Sequence, residues 1–262
     1  MNPSAARVLV VIPTYDEREN IPVVLERLRE HVPTADVLVV DDGSPDGTGE
    51  LAEKIAADEA TSPDATRSLA VLHRSGKLGL GTAYVAGFGW ALARDYDLVV
   101  EMDADGSHRA QDLPRLLEAT ADADLVLGSR WVPGGSVVNW PAHRKVLSLG
   151  GNTYTRLVLG IPLRDATGGF RAYRADLLRS LPLGEVASQG YCFQVDMAWR
   201  AVRAGARVVE VPITFVEREV GRSKMSRAIV LEALLNVTRW GMRERSRRLA
   251  GAFGRTRSAR VR

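Results

Sequence analysis

In the first half of the chain, apolar residues come in short unbroken runs separated by helix-period stretches. The runs are Arg7–Ile12 (RVLVVI), Asp36–Val40 (DVLVV), Leu69–Leu72 (LAVL), Leu98–Val100 (LVV) and Asp124–Leu127 (DLVL). Runs of this length, bounded by polar or turn residues, predict buried strands. Between them the pattern turns helical. Pro22–His31 carries Val24, Leu25 and Leu28 on one face, with Asn20 as the expected N-cap and Pro22 in the first turn. Further helices are predicted from Thr48, from the glycine-rich Ser75–Thr82 to about Arg94, and from about Asp112. Strand alternating with helix predicts an α/β fold with a mostly parallel central sheet flanked by helices.

Three of the five predicted strands end in a polar cluster: Tyr15 and Glu17, Asp41 and Asp42, then Asp103 and Asp105. Ligands of open α/β sheets bind at the carboxyl ends of the strands, so these clusters are expected along one edge. Pro13-Thr14-Tyr15-Asp16-Glu17 stands where a dinucleotide-binding protein needs its glycine fingerprint. That argues against a Rossmann dehydrogenase. The loop Ser75–Thr82 matches neither that fingerprint nor a P-loop, and a packing or lid role suits it better than phosphate binding.

The second half is less regular. Trp131–Pro141 reads as a loop, Arg144 to about Leu159 as a helix, Asp165–Tyr173 as a turn and short strand, Tyr191–Arg203 as a helix and Arg207–Phe215 as a strand. No repeat or linker interrupts this, so residues 1–238 are expected to form one domain.

Composition is that of a globular protein, 45% apolar and 26% charged over 262 residues. The lone Cys192 excludes an intrachain disulfide and fits a reducing compartment, and the four histidines lack metal-ligand spacing. Charge is uneven. Residues 239–262 hold nine arginines and one glutamate, +8, which leaves −5 for the rest of a chain of net +3. A basic tail of this kind is expected to meet an anionic surface.

Two carboxylates one residue apart, Asp103 and Asp105, repel each other unless a cation joins them. A hard ion such as Mg²⁺ or Mn²⁺ is bound in this way and bridges protein carboxylates to a substrate's phosphates. Later loops bring cations: Arg130, Arg144, Lys145, Arg218 and Lys224. Asp41 and Asp42 would repel phosphate and suit the hydroxyls or ring N–H groups of a nucleoside. The set predicts a nucleoside-diphosphate donor site serving group transfer.

The ordered motifs VVIPTYDERENI, VVDDGSPDGT, GKLGLGTAY, EMDADGSH, GSRWVPGG, ATGGFRAYR and ERxxGxSKM, over roughly residues 7–235, resemble those of family 2 glycosyltransferases of GT-A fold. Within that family they look like dolichol- or polyprenol-phosphate mannose synthases. The resemblance implies metal-dependent, inverting transfer of mannose from GDP-mannose to a polyprenyl monophosphate. By motif position it implies that Pro13, Tyr15, Glu17, Val40 and Asp42 hold the nucleoside. Asp103, Ala104 and Asp105 would meet metal and diphosphate, with Arg218 and Lys224 closing over the phosphates. Ser107 stands where some relatives carry a metal-binding glutamine. Arg130, Arg144 and Ser148 would bind the acceptor phosphate, and Asp103, Asp105 and Arg130 would carry catalysis. A phosphate monoester is already ionised near neutral pH, so no essential base is expected. The alternatives are a UDP-sugar-dependent polyprenyl-phosphate transferase (glucose or amino sugar) and a non-catalytic binder of nucleotide sugars or nucleic acid. An intact D-x-D with its partner loops argues against the second, and no nucleic-acid partner is expected.

No apolar stretch reaches the ~20 residues of a membrane span. Met225–Leu249 places Ile229, Val230, Leu234, Val237, Trp240 and Met242 among arginines. This predicts a basic amphipathic helix that docks the enzyme on the cytoplasmic membrane face, with a separate membrane protein as a further expected partner.

Overall fold

The computed structural model describes residues 6–62, 66–186, 191–218, 231 and 233–246. In chain order the elements are β1 (Val8–Thr14), α1 (Ile21–His31), β2 (Asp36–Asp41), α2 (Thr48–Ala60), β3 (Leu69–His73), α3 (Leu80–Leu92), β4 (Leu98–Glu101), α4 (Leu113–Ala119), β5 (Leu125–Ser129), β6 (Ser136–Val138), α5 (Ala142–Leu159), β7 (Arg171–Arg174), α6 (Ala175–Ser180), α7 (Tyr191–Arg203), β8 (Val208–Pro212) and β9 (Thr214–Val216). A further helix, α8, spans 233–246.

The main sheet has the order β3-β2-β1-β4-β7-β5-β8. β7 runs antiparallel to both β4 and β5, and the other pairings are parallel. β1 shows why its run is apolar throughout. Leu9 and Val11 face a core with Leu38, Val40, Tyr84 and Phe88, while Val10 and Ile12 face another with Val37, Ile21, Leu25 and Leu28. A parallel strand covered on both faces has no solvent side to alternate with. α3 lies close over β1 at Gly87, where an added Cβ would stand 2.4 Å from Val11 Cγ1.

Several local expectations change. Asn20 occupies the N-cap position of α1 but makes no side-chain cap; its amide donates to Glu17 Oε2 instead (2.7 Å). The expected loop 131–141 contains β6, and the expected strand 207–215 is cut at Ile213. The Ile213 N–H donates to the Ser129 carbonyl in the main sheet, and its own carbonyl accepts from Ser136 N–H (3.0 Å each). The chain thus passes from the main sheet into a two-stranded parallel ribbon, β6–β9. Apolar pattern does not reveal this, because both halves are equally suited to a strand and only the partners differ.

α8 packs on the body. Trp240 stacks on Trp199 of α7 (5.5 Å, 13°), the Thr238 and Tyr154 hydroxyls are 2.6 Å apart, and a Cβ on Gly241 would lie 2.5 Å from Val158 Cγ1 of α5. The boundary expected between residues 238 and 239 therefore falls inside this helix. Of the expected amphipathic helix, 225–230 and 247–249 lie outside the described residues, as does the rest of the basic tail.

Candidate active site

The parallel pairing of β1 with β2 and β4 brings the first acidic clusters to one edge. Pro13 pairs in register with Val40, and Thr14 with Asp41. The two neighbouring aspartates divide the work. Asp41 accepts from Thr14 Oγ1 and from the Ser44 amide (3.0 Å each) and from Ser44 Oγ (2.5 Å), so it holds the strand end and its turn together. Asp42 accepts from Arg74 Nη1 (2.6 Å) and from the Leu78 amide (3.2 Å). Burial pushes the Asp42 carboxyl up, against the pull of the Arg74 guanidinium. The glycine-rich segment therefore folds over Asp42, in keeping with its expected packing role. Gly43 has φ +70°, and a Cβ there would meet Gly76 Cα at 3.3 Å, so the two loops touch backbone to backbone. Lys77 Nζ lies 4.0 Å from the centre of the Tyr15 ring, and the Glu17 amide donates to Thr48 Oγ1 (3.0 Å). Sequence inspection did not single out Arg74; no spacing marks it, and only the loop's return to β2 makes it a partner.

Asp103 and Asp105 follow β4. Asp103 Oδ1 accepts from the buried Tyr84 hydroxyl (3.0 Å), and the Asp103 amide donates to His108 Nδ1 (3.0 Å). The His108 ring stacks on Phe170 (5.0 Å, 11°) and meets the edge of Phe215 (5.5 Å). Burial holds its pKa down, so the ring is neutral and acts as a fixed backbone acceptor. Asp105 Oδ1 accepts from the Ser107 amide (3.0 Å), and its Oδ2 is 3.1 Å from Arg218 Nη2. Burial works to raise the Asp105 pKa, but the Ser107 hydrogen bonds and the Arg218 charge outweigh it and hold the carboxyl below its usual range.

Under this loop Glu101 is fully buried, and that burial pushes it up to about 7. Its register partner across β4–β7 is Arg171, also fully buried, which donates to the carbonyls of Gly168 (2.8 Å), Ala166 (2.8 Å) and Gln194 (2.7 Å). Tyr84, His108, Glu101 and Arg171 stand inside the quoted motifs, but sequence inspection gave none of them a role in the site. A buried charge on a strand end becomes visible only once its cross-strand partner is known.

The donor set fits a hard divalent cation. The Asp103 side chain keeps 33% of its surface exposed beside the better-shielded Asp105. Among the described residues no three His, Cys, Asp or Glu side chains converge. An ion of the Mg²⁺ type needs only one or two protein carboxylates when substrate phosphates complete its shell. Ser107, expected as a third ligand, is buried, with its amide and hydroxyl both bonded to Asp105.

The expected acceptor residues also come together. Arg130, at the end of β5, is buried in a bidentate pair with Asp165 (Nε–Oδ2 2.7 Å, Nη2–Oδ1 2.6 Å) and also donates to Thr167 Oγ1 (2.9 Å). Asn152 of α5 braces the same two partners, at 3.2 and 3.1 Å. Arg144 pairs with Glu217 and lies 4.1 Å over the Trp140 ring, while Ser148 Oγ accepts from Trp131 Nε1 (3.3 Å). Trp140 stands between the arginines, its ring 5.4 Å from Arg130 Cζ. Lys224 lies outside the described residues.

A seven-stranded sheet with one antiparallel strand, acidic clusters on its carboxyl edge and an arginine-lined corner beside them can now be set against known proteins. Residues 9–181 match the family model "Glycosyl transferase family 2". The chain belongs to glycosyl transferase family 2. It is a glycosyltransferase of GT-A-like fold. It is 58% identical to the undecaprenyl-phosphate mannosyltransferase of Micrococcus luteus over 248 residues, 95% of this chain and 99% of that one. It is 54% identical to the polyprenol monophosphomannose synthase of Mycolicibacterium smegmatis, over 94% of this chain and 91% of that one. Among solved structures it is similar to glucosyl-3-phosphoglycerate synthase from Mycobacterium tuberculosis in complex with Mn²⁺ and UDP-glucose. The TM-score is 0.62 and the identity 21%, covering 90% of this chain and 80% of that one. At that identity the likeness shows the fold alone.

Proposed function

We propose that the protein transfers mannose from GDP-mannose to a polyprenyl monophosphate, with inversion at the anomeric carbon, and releases GDP. The observation that carries this reading is the meeting of two unlike surfaces at Phe215–Arg218. On one side lie the strand-end carboxylates, and on the other the corner formed by Arg130, Arg144 and Ser148. The names of the relatives in Micrococcus luteus and Mycolicibacterium smegmatis supply the sugar and the lipid acceptor. Pro13, Tyr15, Glu17, Val40 and Asp42 hold the guanosine. Asp103, Ala104 and Asp105 face the diphosphate, and Arg218 and Lys224 close over it.

Asp103 and Asp105 would hold Mg²⁺ or Mn²⁺, with Ser107 orienting Asp105; such an ion neutralises the leaving diphosphate. Arg130, fixed by Asp165, and Arg144 aim the acceptor phosphate at the anomeric carbon. An ionised phosphate needs aiming and no deprotonation, so positioning and charge stabilisation carry the rate.

The acceptor's prenyl chain implies a bilayer. No helix among the described residues is long and apolar enough to cross a membrane. α5 and α8, which touch each other, expose Val146, Leu147, Leu149, Leu157, Leu234, Leu235 and Met242, with Arg239, Arg243 and Arg245 exposed on α8. This face docks on the anionic inner leaflet, where the separate membrane-protein partner would also be met.

The test is a transfer assay with labelled GDP-mannose, UDP-glucose and UDP-N-acetylglucosamine as donors and a polyprenyl phosphate as acceptor, with Mn²⁺ or with chelator. Mannose transfer that needs the ion is expected. Undiminished transfer under chelation, or transfer from a UDP-sugar only, overturns the reading.

A further inference from the structure

β9 leads directly into two consecutive charged residues that serve opposite ends of the site. Successive side chains of an extended segment face opposite ways. Phe215 and Glu217 share one side: Phe215 packs edge-on against Trp140 (5.4 Å), and Glu217 pairs with Arg144. Arg218 faces the other way, 3.1 Å from Asp105 Oδ2. One dipeptide therefore neutralises both the acceptor-side cation and the donor-side anion. Its backbone is tied to the ribbon by the Glu217 amide, which donates to the Val138 carbonyl (3.1 Å).

The pairing at Arg144 is incomplete. Both carboxylate oxygens of Glu217 converge on Arg144 Nη1. Arg144 Nε is buried and has no hydrogen-bond partner among the described residues. The same holds for Trp140 Nε1, on the ring that the Arg144 guanidinium covers at 4.1 Å. Leaving buried donors unpaired is costly, so such groups point to a missing acceptor. A monophosphate ester offers one terminal oxygen more than a carboxylate does.

We infer that Glu217 occupies the acceptor-phosphate seat in the unloaded protein, and that Arg144 together with the Trp140 indole N–H forms that seat. This rests on the acceptor reading above. Two anions cannot share Arg144 at little cost, so the phosphate must displace Glu217. The trigger is next door. A donor diphosphate offers Arg218 a new anionic partner beside Asp105 and draws Arg218 toward itself. Glu217, its covalent neighbour, is pulled off Arg144, and the seat opens. Donor loading thereby strengthens acceptor binding, and by linkage acceptor binding strengthens donor binding by the same factor.

Isothermal titration of a water-soluble short-chain prenyl monophosphate into the full chain, with and without saturating GDP and Mg²⁺, tests this. In the wild type GDP is expected to tighten prenyl phosphate binding about tenfold, within the usual range of coupling between sites. Glu217→Gln should bind as tightly without GDP as the wild type does with it, while Glu217→Asp keeps the dependence. Trp140→Phe, which keeps the ring and loses the N–H, should weaken prenyl phosphate binding severalfold and leave GDP binding unchanged. Equal affinity with and without GDP in the wild type overturns the inference, as does a Glu217→Gln variant that binds no more tightly than the wild type without GDP. Should that variant fail to fold, the wild-type comparison decides alone. Binding of GDP but of no prenyl phosphate, by every folded protein in every state, removes the acceptor reading and this inference with it. Binding of prenyl phosphate but not of GDP removes the donor reading instead.

Discussion

The donor edge and the acceptor corner lie side by side but are built in different ways. At the donor edge each functional residue sits within a few positions of a strand end, and backbone pairing of β1, β2 and β4 sets the spacing. At the acceptor corner the pieces come from the ends of β5 and β9, from α5 and from the turn before β7, and side-chain ion pairs hold them: Arg130 with Asp165, Arg144 with Glu217. The first design is stiff because a parallel sheet buried on both faces leaves little freedom. The second depends on charge balance, so it answers to whatever charge arrives. This contrast suits the proposed order of events, in which a metal-bound diphosphate would be held firmly and a lipid phosphate admitted once the donor is present.

The comparison can be broken most severely at the donor edge. If the proposed role of Asp105 holds, Asp105→Ala should lower mannose transfer by about a thousandfold or more, by removing a carboxylate that would organise the leaving diphosphate. Thermal unfolding should change little, because Asp105 serves the site and not the core; a collapsed melting curve would show that it is structural.

The acceptor corner should fail through stability instead. Asp165→Asn leaves the buried Arg130 without its counter-charge, and removing one partner of a buried pair costs about 3–5 kcal/mol. Urea denaturation measures this. The pH dependence sharpens it. Burial works to raise the Asp165 pKa, but the Arg130 charge and hydrogen bonds override it and hold the carboxyl below the ordinary value of 3.8. A depressed folded-state pKa means that the contribution is complete above the ordinary value and is lost as pH falls through the lower one. Wild-type stability should therefore fall more steeply below about pH 4 than that of Asp165→Asn. Parallel curves for the two proteins would contradict the pairing.

A smaller effect is expected where the donor scaffold is tightest. Gly87→Ala forces a methyl group to 2.4 Å from Val11 Cγ1, and overpacking of this kind costs about 1–3 kcal/mol. The melting temperature should drop, while KM for the acceptor stays put. A test of similar size is Tyr84→Phe, which removes the hydroxyl that donates to Asp103 Oδ1. A hydrogen bond to a charged group contributes about 1.5–3 kcal/mol, and its loss should weaken metal affinity, read by Mn²⁺ titration, more than it weakens the fold.

Much of the donor half was legible from sequence because its signals are local. A short apolar run ending in a polar cluster states both the strand and the edge at which its side chains emerge. Asp103 and Asp105 suggested a cation once the polar clusters at the neighbouring strand ends and the later cations were taken with their spacing. The supports of those residues were not legible. Tyr84 and Arg74 each act on a carboxylate that another element presents, and nothing around them in the chain records that meeting; His108 accepts from the Asp103 backbone amide of its own loop, in a ring position set by Phe170 and Phe215. Arg130, Arg144 and Ser148 were expected at one site, and the structure gathers them around Trp131 and Trp140. It also supplies what the motifs omit, namely the carboxylates Asp165 and Glu217 that already hold the two arginines.

The sequence by itself determined the alternation of strand and helix, the side of the sheet on which acidic groups collect and the family to which the chain belongs, because periodicity, turn chemistry and motif order are properties of neighbours along the chain. Tertiary structure alone decided that β7 runs antiparallel, that one expected strand divides at Ile213 between two sheets, and that Glu217 and Arg218 face opposite ends of the site. Those outcomes depend on which backbone groups and charges meet across 35 to 113 positions of chain, from Arg130–Asp165 to Asp105–Arg218, and such meetings exist only once the fold has formed.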